Sequence, residues 1–300
     1  MYDKYSVYLH PKQRNMEKGE DTTIVLRKDR GYAGCIQQGL AIVTHKFNLL
    51  WKFLWPMLML ICATNAIMGV ITYYNPFSAP LLYATILANA LMYVYYLAMI
   101  SVMVRKLDEL GYVPSVKAWV LGRTTISRSL RSGVIVVISL LVGIICLYGY
   151  TMLTPESGPI PQYYAYIKLA LLVLLLLMSV PFGMFSMDFL FGNKSLIATL
   201  RNTTANMKYA GNYLAVIVVS GTLMAIFTAV GAFPLFLTTH VTEVAIIGRM
   251  QGDVAELPNY FPVLCALAQG LCAIITSLSV LLLAFPAAFL WGKLNEENDN

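Results

Sequence analysis

FLWPMLMLICATNAIMGVITYYNPFSAPLLYATILANALMYVYYLAMISVMV, residues 53 to 104, runs for 52 residues without a charged side chain. A helix rises about 1.5 Å per residue and the hydrocarbon core of a bilayer is about 30 Å thick, so roughly 20 apolar residues make one crossing. The stretch is too long for a single span. NPFSAP (Asn75 to Pro80) breaks it with two prolines and a serine. It therefore predicts two spans, Phe53 to Tyr74 and Leu81 to Val104, joined as a tight hairpin.

The rest of the chain has the same character. Of 300 residues 58% are hydrophobic and 12% charged, against about 25% charged in ordinary soluble domains. Further apolar runs predict spans over Ser132 to Leu153, Leu169 to Met187, Tyr213 to Leu237 and Pro262 to Leu290. Pro181 and Pro286 fall inside two of them and each removes a backbone donor, which predicts bends there. Lys and Arg divide unevenly: nine in residues 1–52, six from Arg105 to Arg131, three from Lys194 to Lys208 and one in the C-terminal tail, against Lys168 and Arg249 on the other side. By the positive-inside rule this predicts six crossings with both termini cytoplasmic, in the cell membrane. That rule accounts for the net charge of +6 and pI near 9.0 without nucleic acid.

Trp51, Trp55, Trp119 and Trp291 fall on the basic side, and Tyr73, Tyr74, Tyr83, Tyr148, Tyr150, Tyr163 and Tyr164 on the other. These aromatics are expected as interfacial anchors. The five cysteines, Cys35, Cys62, Cys146, Cys265 and Cys272, form no CxxC and are expected as free, packed thiols. Residues 1–30 mix charges of both signs with Pro11 and Gly19, the composition of a mobile cytoplasmic tail without a cleaved signal.

Each hairpin follows a stretch of helical periodicity too polar to cross. Ile36, Leu40, Val43, Phe47 and Leu50 repeat at offsets of 4, 3, 4 and 3, with Gln37, Gln38, Thr44, His45 and Asn48 opposite. Leu196, Leu200, Thr203 and Met207 repeat the spacing, and Val116, Trp119, Ile126 and Leu130 do so less cleanly, because Arg123 interrupts them. A shift of 80 residues superposes Gly31-Tyr32 on Gly111-Tyr112, and Thr44 on Thr124 on Thr204. The expected fold is thus all-α and integral to the membrane: three hairpins, each preceded by an amphipathic interfacial helix. The units are 31–110, 111–190 and 191–291, followed by a cytoplasmic tail at 292–300.

GLAIVTHKFNLLWKFL (Gly39 to Leu54) and IATLRNTTANMKYAGNYL (Ile197 to Leu214), each leading into an apolar hairpin, resemble in layout certain prokaryotic multi-pass families. One of these is the membrane region attached to some glycerophosphodiester phosphodiesterases. The resemblance covers about residues 31 to 291 and implies a membrane fold; it carries no diagnostic motif and transfers no functional residue. The phosphodiesterase catalytic domain has no counterpart here.

Chemistry is sparse in the sequence. His10, His45 and His240 are far apart, and HExxH, GxxxxGK[ST] and GxSxG are absent, so the expectation is a non-enzyme with no catalytic residue, metal or cofactor. No charge lies near the centre of a span, where one costs at least about 2.5 kcal/mol. Lys168 and Asp188 flank the fourth span, with Asp188 expected to meet a basic residue. Small residues four apart (Ala84/Ala88, Gly221/Ala225/Ala229, Ala266/Gly270) favour close helix packing within the chain or self-association. Thr85, Asn89, Tyr93 and Tyr96, joined by Asn65 at matching depth, form a polar stripe that either bonds between helices or lines a solute path. Lys117, Arg123, Arg128, Arg131, Arg201 and Lys208 are expected to meet anionic headgroups. Two functions remain open at this point. One is a protein that organises lipid, a membrane partner or its own copies through a basic cytoplasmic face; the other is a permease or channel for a small neutral or lipid-like solute.

Overall fold

The structure, a computed structural model, describes residues 24–26, 28, 31–75, 78–111, 122–152, 162–252 and 257–299. They form helices α1 (Tyr32–His45), α2 (Phe47–Tyr74), α3 (Ala79–Leu110), α4 (Gly122–Met152), α5 (Gln162–Phe191) and α6 (Leu196–Asn206). A 3-10 turn (Met207–Tyr209) leads into α7 (Ala210–Met250), and α8 (Phe261–Asp299) follows. There is no strand among the described residues. Five segments are long and apolar enough to cross a bilayer: Phe47–Tyr74, Tyr83–Leu110, Ser127–Ile145, Leu196–Gly248 and Phe261–Asn295. α5 is 30 residues long, with a described apolar stretch at Met178–Phe191.

The breaks have local causes. α2 stops at Asn75, and α3 restarts after an extended Ser78 with proline in its first turn, where the missing N–H costs nothing. α3 ends at Gly111, whose φ of 71° lies in the left-handed region that favours glycine. Ser195 caps α6 by accepting from the Ala198 N–H.

α8 is the axis of the molecule. α7 packs along it, α2 joins it at one end and α1 at the other. Glycines set these approaches. A Cβ at Gly39 of α1 would lie 2.4 Å from the Pro286 nitrogen, one at Gly231 of α7 2.4 Å from Ile275, and one at Gly270 3.0 Å from Cys62 of α2. α3 lies beside α2 and α4 beside α3, while α5 reaches α3, α4 and α8 chiefly through its last turns. The end carrying α1, α6 and the last turns of α5 is here termed basal, and the opposite end distal. The core is mainly basal, built from Leu50 to Ile61, Tyr96 to Leu107, Met184 to Phe191 and Leu281 to Leu294. Towards the distal end many apolar side chains face outward, among them Val230 and Phe236 of α7 and Leu267 of α8.

Several expectations are corrected. Ile126 and Leu130, read as part of a preceding interfacial helix, belong to α4 itself; Val116 and Trp119 lie outside the described residues. α4 packs on α3 and meets α5 where its arginines reach the α5 end. α7 does not stop at Leu237 but runs unbroken to Met250, absorbing the short outer helix expected around Val241 to Met250. α1 buries Cys35, Gly39, Ile42 and Val43, one position round from the expected stripe, because contact with Pro286 selects the glycine face. The packed structure begins before residue 31: Leu26 is buried against Gly292, and the Ile24 N–H bonds the Gly111 carbonyl at 2.7 Å. Cys35, Cys62, Cys265 and Cys272 are free thiols; the Cys146 side chain lies outside the description.

Candidate functional site

The basal layer gathers most of the polar chemistry. The final carbonyls of a helix have no intrahelical donor and carry partial negative charge, and at the end of α5 arginines supply the donors. Arg128, only 4% exposed, donates to the Leu190 carbonyl at 2.8 Å and the Gly192 carbonyl at 2.6 Å. Arg131 donates to the carbonyls of Phe189 (3.1 Å), Gly192 (3.0 Å) and Asn193 (3.2 Å), with its guanidinium 5.0 Å from the Phe189 ring centre. Arg105 donates to Asn193 Oδ1 at 2.9 Å, and the Ser101 hydroxyl donates to the Leu190 carbonyl. A guanidinium suits this task because its five N–H groups fan out in one plane. Arg128 is thus a fold residue, withdrawn from the surface where it was expected to meet lipid. Arg131 is half-buried and similarly committed. Lys117 lies outside the described residues, as does the Arg123 side chain; Arg201 and Lys208 are exposed.

Asp188, one turn earlier, is 5% exposed. Instead of the expected basic partner its carboxylate accepts from Asn202 Nδ2 of α6 at 2.9 Å and from Trp291 Nε1 of α8 at 3.1 Å. Trp291 is therefore a buried clasp between α5 and α8, not an interfacial anchor. The same contact turns α6 over: Thr199, Thr203 and Asn206 are buried, while Leu196, Ile197, Leu200 and Met207 are exposed, Ile197 to 79%. The expected apolar stripe exists but points away from the protein, with Thr203 on the packed side.

The polar stripe divides into two bonded groups. Asn65 Nδ2 donates to Asn89 Oδ1 at 2.9 Å and to the Ile61 carbonyl at 2.8 Å, and Asn89 Nδ2 donates to the Thr85 carbonyl at 3.0 Å. The Thr85 hydroxyl turns to the Leu81 carbonyl at 2.8 Å. Tyr96 is fully buried and donates to the Ser277 carbonyl of α8 at 2.6 Å; Tyr93 Oη accepts from the Ser277 hydroxyl at 3.5 Å. The stripe joins α3 to α2 and to α8.

Two hollows complete the picture. An open apolar groove of about 480 Å³ lies between α2 and α3, lined by Pro56, Met57 and Leu60 from one and Leu91, Met92 and Tyr95 from the other. A more polar cleft of about 270 Å³ opens distally between α2 (Thr72, Tyr73), α7 (Thr238, Thr242, Glu243) and α8 (Gln269). Reading the sequence missed the second because Val241 to Met250 was expected as a separate surface helix beyond a span ending at Leu237. The signal was present: Leu237, Val241, Val244 and Gly248 continue the helical spacing with no break between.

All-helical architecture with five membrane-length apolar segments makes this an α-helical membrane protein. No protein-family model, curated protein or solved structure matches the chain.

Proposed function

We propose that the chain is a six-pass membrane protein, both termini and the basal layer cytoplasmic, that organises anionic lipid at its inner surface and catalyses no reaction. α5 supplies the sixth crossing in this reading, and the uneven division of basic residues supplies the orientation. The observation that carries the proposal is α6. A helix that packs threonines and asparagines inward and exposes Leu196, Ile197 and Leu200 is matched to hydrocarbon on its outer face. Exposed Lys194, Arg201 and Lys208 flank that face, as headgroup phosphates require. The apolar groove between α2 and α3 offers a second surface suited to an acyl chain. The solute-path alternative is less well supported, because the stripe it depends on is bonded between helices.

The test is lipid composition around the purified protein. R201A/K208A should lower the retention of phosphatidylglycerol relative to phosphatidylcholine at low salt, by up to about 30-fold if each charge contributes about 1 kcal/mol. Serine at Leu196, Ile197 and Leu200 should detach α6 from vesicles without unfolding the bundle. Unchanged lipid retention in both variants would leave the basic face with a topological role only.

A further inference from the structure

The distal cleft has no place in the lipid-organising role, and its chemistry specifies a ligand of its own. Gly69 admits α8 here: a Cβ would stand 3.1 Å from both Gln269 Oε1 and the Cys265 carbonyl. Gly231 holds α7 against Ile275 below, and Pro234 interrupts the α7 ladder just beyond, where a proline bends a helix. The cleft opens past that bend. Asn65 lies near the middle of the α2 crossing, so Gly69 and Tyr73 stand about 6 and 12 Å further out at 1.5 Å per residue, and the mouth reaches the headgroup level.

Its two hydrogen-bonded α7 threonines serve as acceptors. The Thr238 hydroxyl donates to the carbonyls of Pro234 (3.1 Å) and Leu235 (3.0 Å), and that of Thr242 donates to the Thr238 carbonyl at 2.8 Å. With their protons spent on α7, both oxygens keep lone pairs free to accept. Among the described residues Glu243 is the only charged side chain lining the cleft, and there neither it nor Gln269 has a side-chain partner. Carboxylate, amide oxygen and the oxygens of Thr238 and Thr242 offer acceptors and one uncompensated negative charge, beside the hydroxyls of Thr72, Tyr73 and Thr239. A bare metal ion does not fill it: about 270 Å³ is several times the ~30 Å³ share of one water, and Leu235 and Ile246 add apolar wall.

We propose that the distal cleft between α2, α7 and α8 binds a primary ammonium group carried on a small organic body, with Glu243 as its counter-charge. Two sources share that chemistry, the ethanolamine headgroup of a phospholipid in the facing leaflet and a soluble alkylamine. The site is independent of the lipid-organising role of the basal layer.

The experiment uses the full chain in nanodiscs of phosphatidylcholine, doped with phosphatidylethanolamine in one arm and titrated with n-butylamine in the other. Native mass spectrometry reads retained lipid, and calorimetry reads amine binding. Preferential retention of phosphatidylethanolamine, or saturable butylamine binding, is expected in the wild type and should weaken about tenfold or more in Glu243→Gln, which removes a charge-assisted bond while preserving shape. The arm that responds identifies the source. Absence of both signals overturns the proposal, as does an unchanged signal in E243Q. Should E243Q unfold at lower temperature than wild type, Glu243→Asp and Thr242→Val decide: the first must retain binding and the second must weaken it, and any other pattern overturns the site.

Discussion

At the scale of single residues, the molecule places its few polar side chains where a neighbouring helix needs them. The Asn65–Asn89 bond ties α2 to α3 near the middle of the crossing, where water is scarce and an unpaired amide is costly. Each amide also bonds a carbonyl of its own helix, so losing one partner does not strand the other entirely. Asn65→Leu and Asn89→Leu are expected to destabilise by about 0.5 to 2 kcal/mol each, and the double variant by less than their sum. Unfolding in mixed micelles reads the coupling; additive losses would mean that the bond contributes nothing. Arg128 carries more, since two helix-end carbonyls each lose one of two donors with it and Asn193 Oδ1 loses another. Arg128→Ala should cost about 2 to 4 kcal/mol, and Arg128→Lys should recover little, because one ammonium does not reproduce a planar fork. Equal stability of the lysine variant and wild type would show that charge alone suffices.

At the scale of elements, α1 and α6 show what a periodic pattern determines and what it leaves open. The spacing of Ile36, Leu40 and Val43 marked α1 as a helix, and its polar side, Gln37, Gln38, Thr44 and His45, contains exposed residues as expected. The packed face was missed by one position because close approach to Pro286 needs a glycine, and glycine carries no weight in an apolar pattern. In α6 only Thr203 was misplaced: it is buried with Thr199 and Asn206, while Leu196, Leu200 and Met207 face outward as an interfacial helix requires. The break at Asn75 to Pro80 was legible because proline acts locally; the end of α3 at Gly111 lies beyond the span read as stopping at Val104. The Asp188–Trp291 bond spans 103 residues and left no local trace. Gly39→Ala is expected to destabilise by about 1 to 3 kcal/mol, since the methyl meets backbone and ring atoms of Pro286 that cannot turn aside. Gly221→Ala, inside α7 with open space around it, is the matched control. A thermal scan of the two variants separates this steric cost from the helix preference of alanine, which would raise both.

At the scale of the whole molecule, the proposed orientation makes a direct prediction. Ser195 and Gln251 stand at opposite ends of the α6–α7 segment. A cysteine at Gln251 should react with an impermeant maleimide on intact cells, and one at Ser195 only after permeabilisation; the reverse pattern would invert the topology. Burial is uneven along the bundle, with the basal core dense and the distal side chains of α7 largely exposed. Amide exchange should accordingly be slowest around Leu50 to Ile61 and Leu281 to Leu290, and faster towards Met250. α8 reaches every part of that core: α1, α2 and α7 pack on it, α3 through Tyr96 and α5 through Asp188 bond to it. It is also the last helix in chain order. During synthesis, then, the earlier helices enter the membrane before their common partner has left the ribosome. Gly39, Asp188 and Tyr96 wait with their contacts unmade, and assembly completes late and all together. A nascent chain halted before Phe261 would be inserted yet unfinished, the form that membrane quality control is placed to intercept.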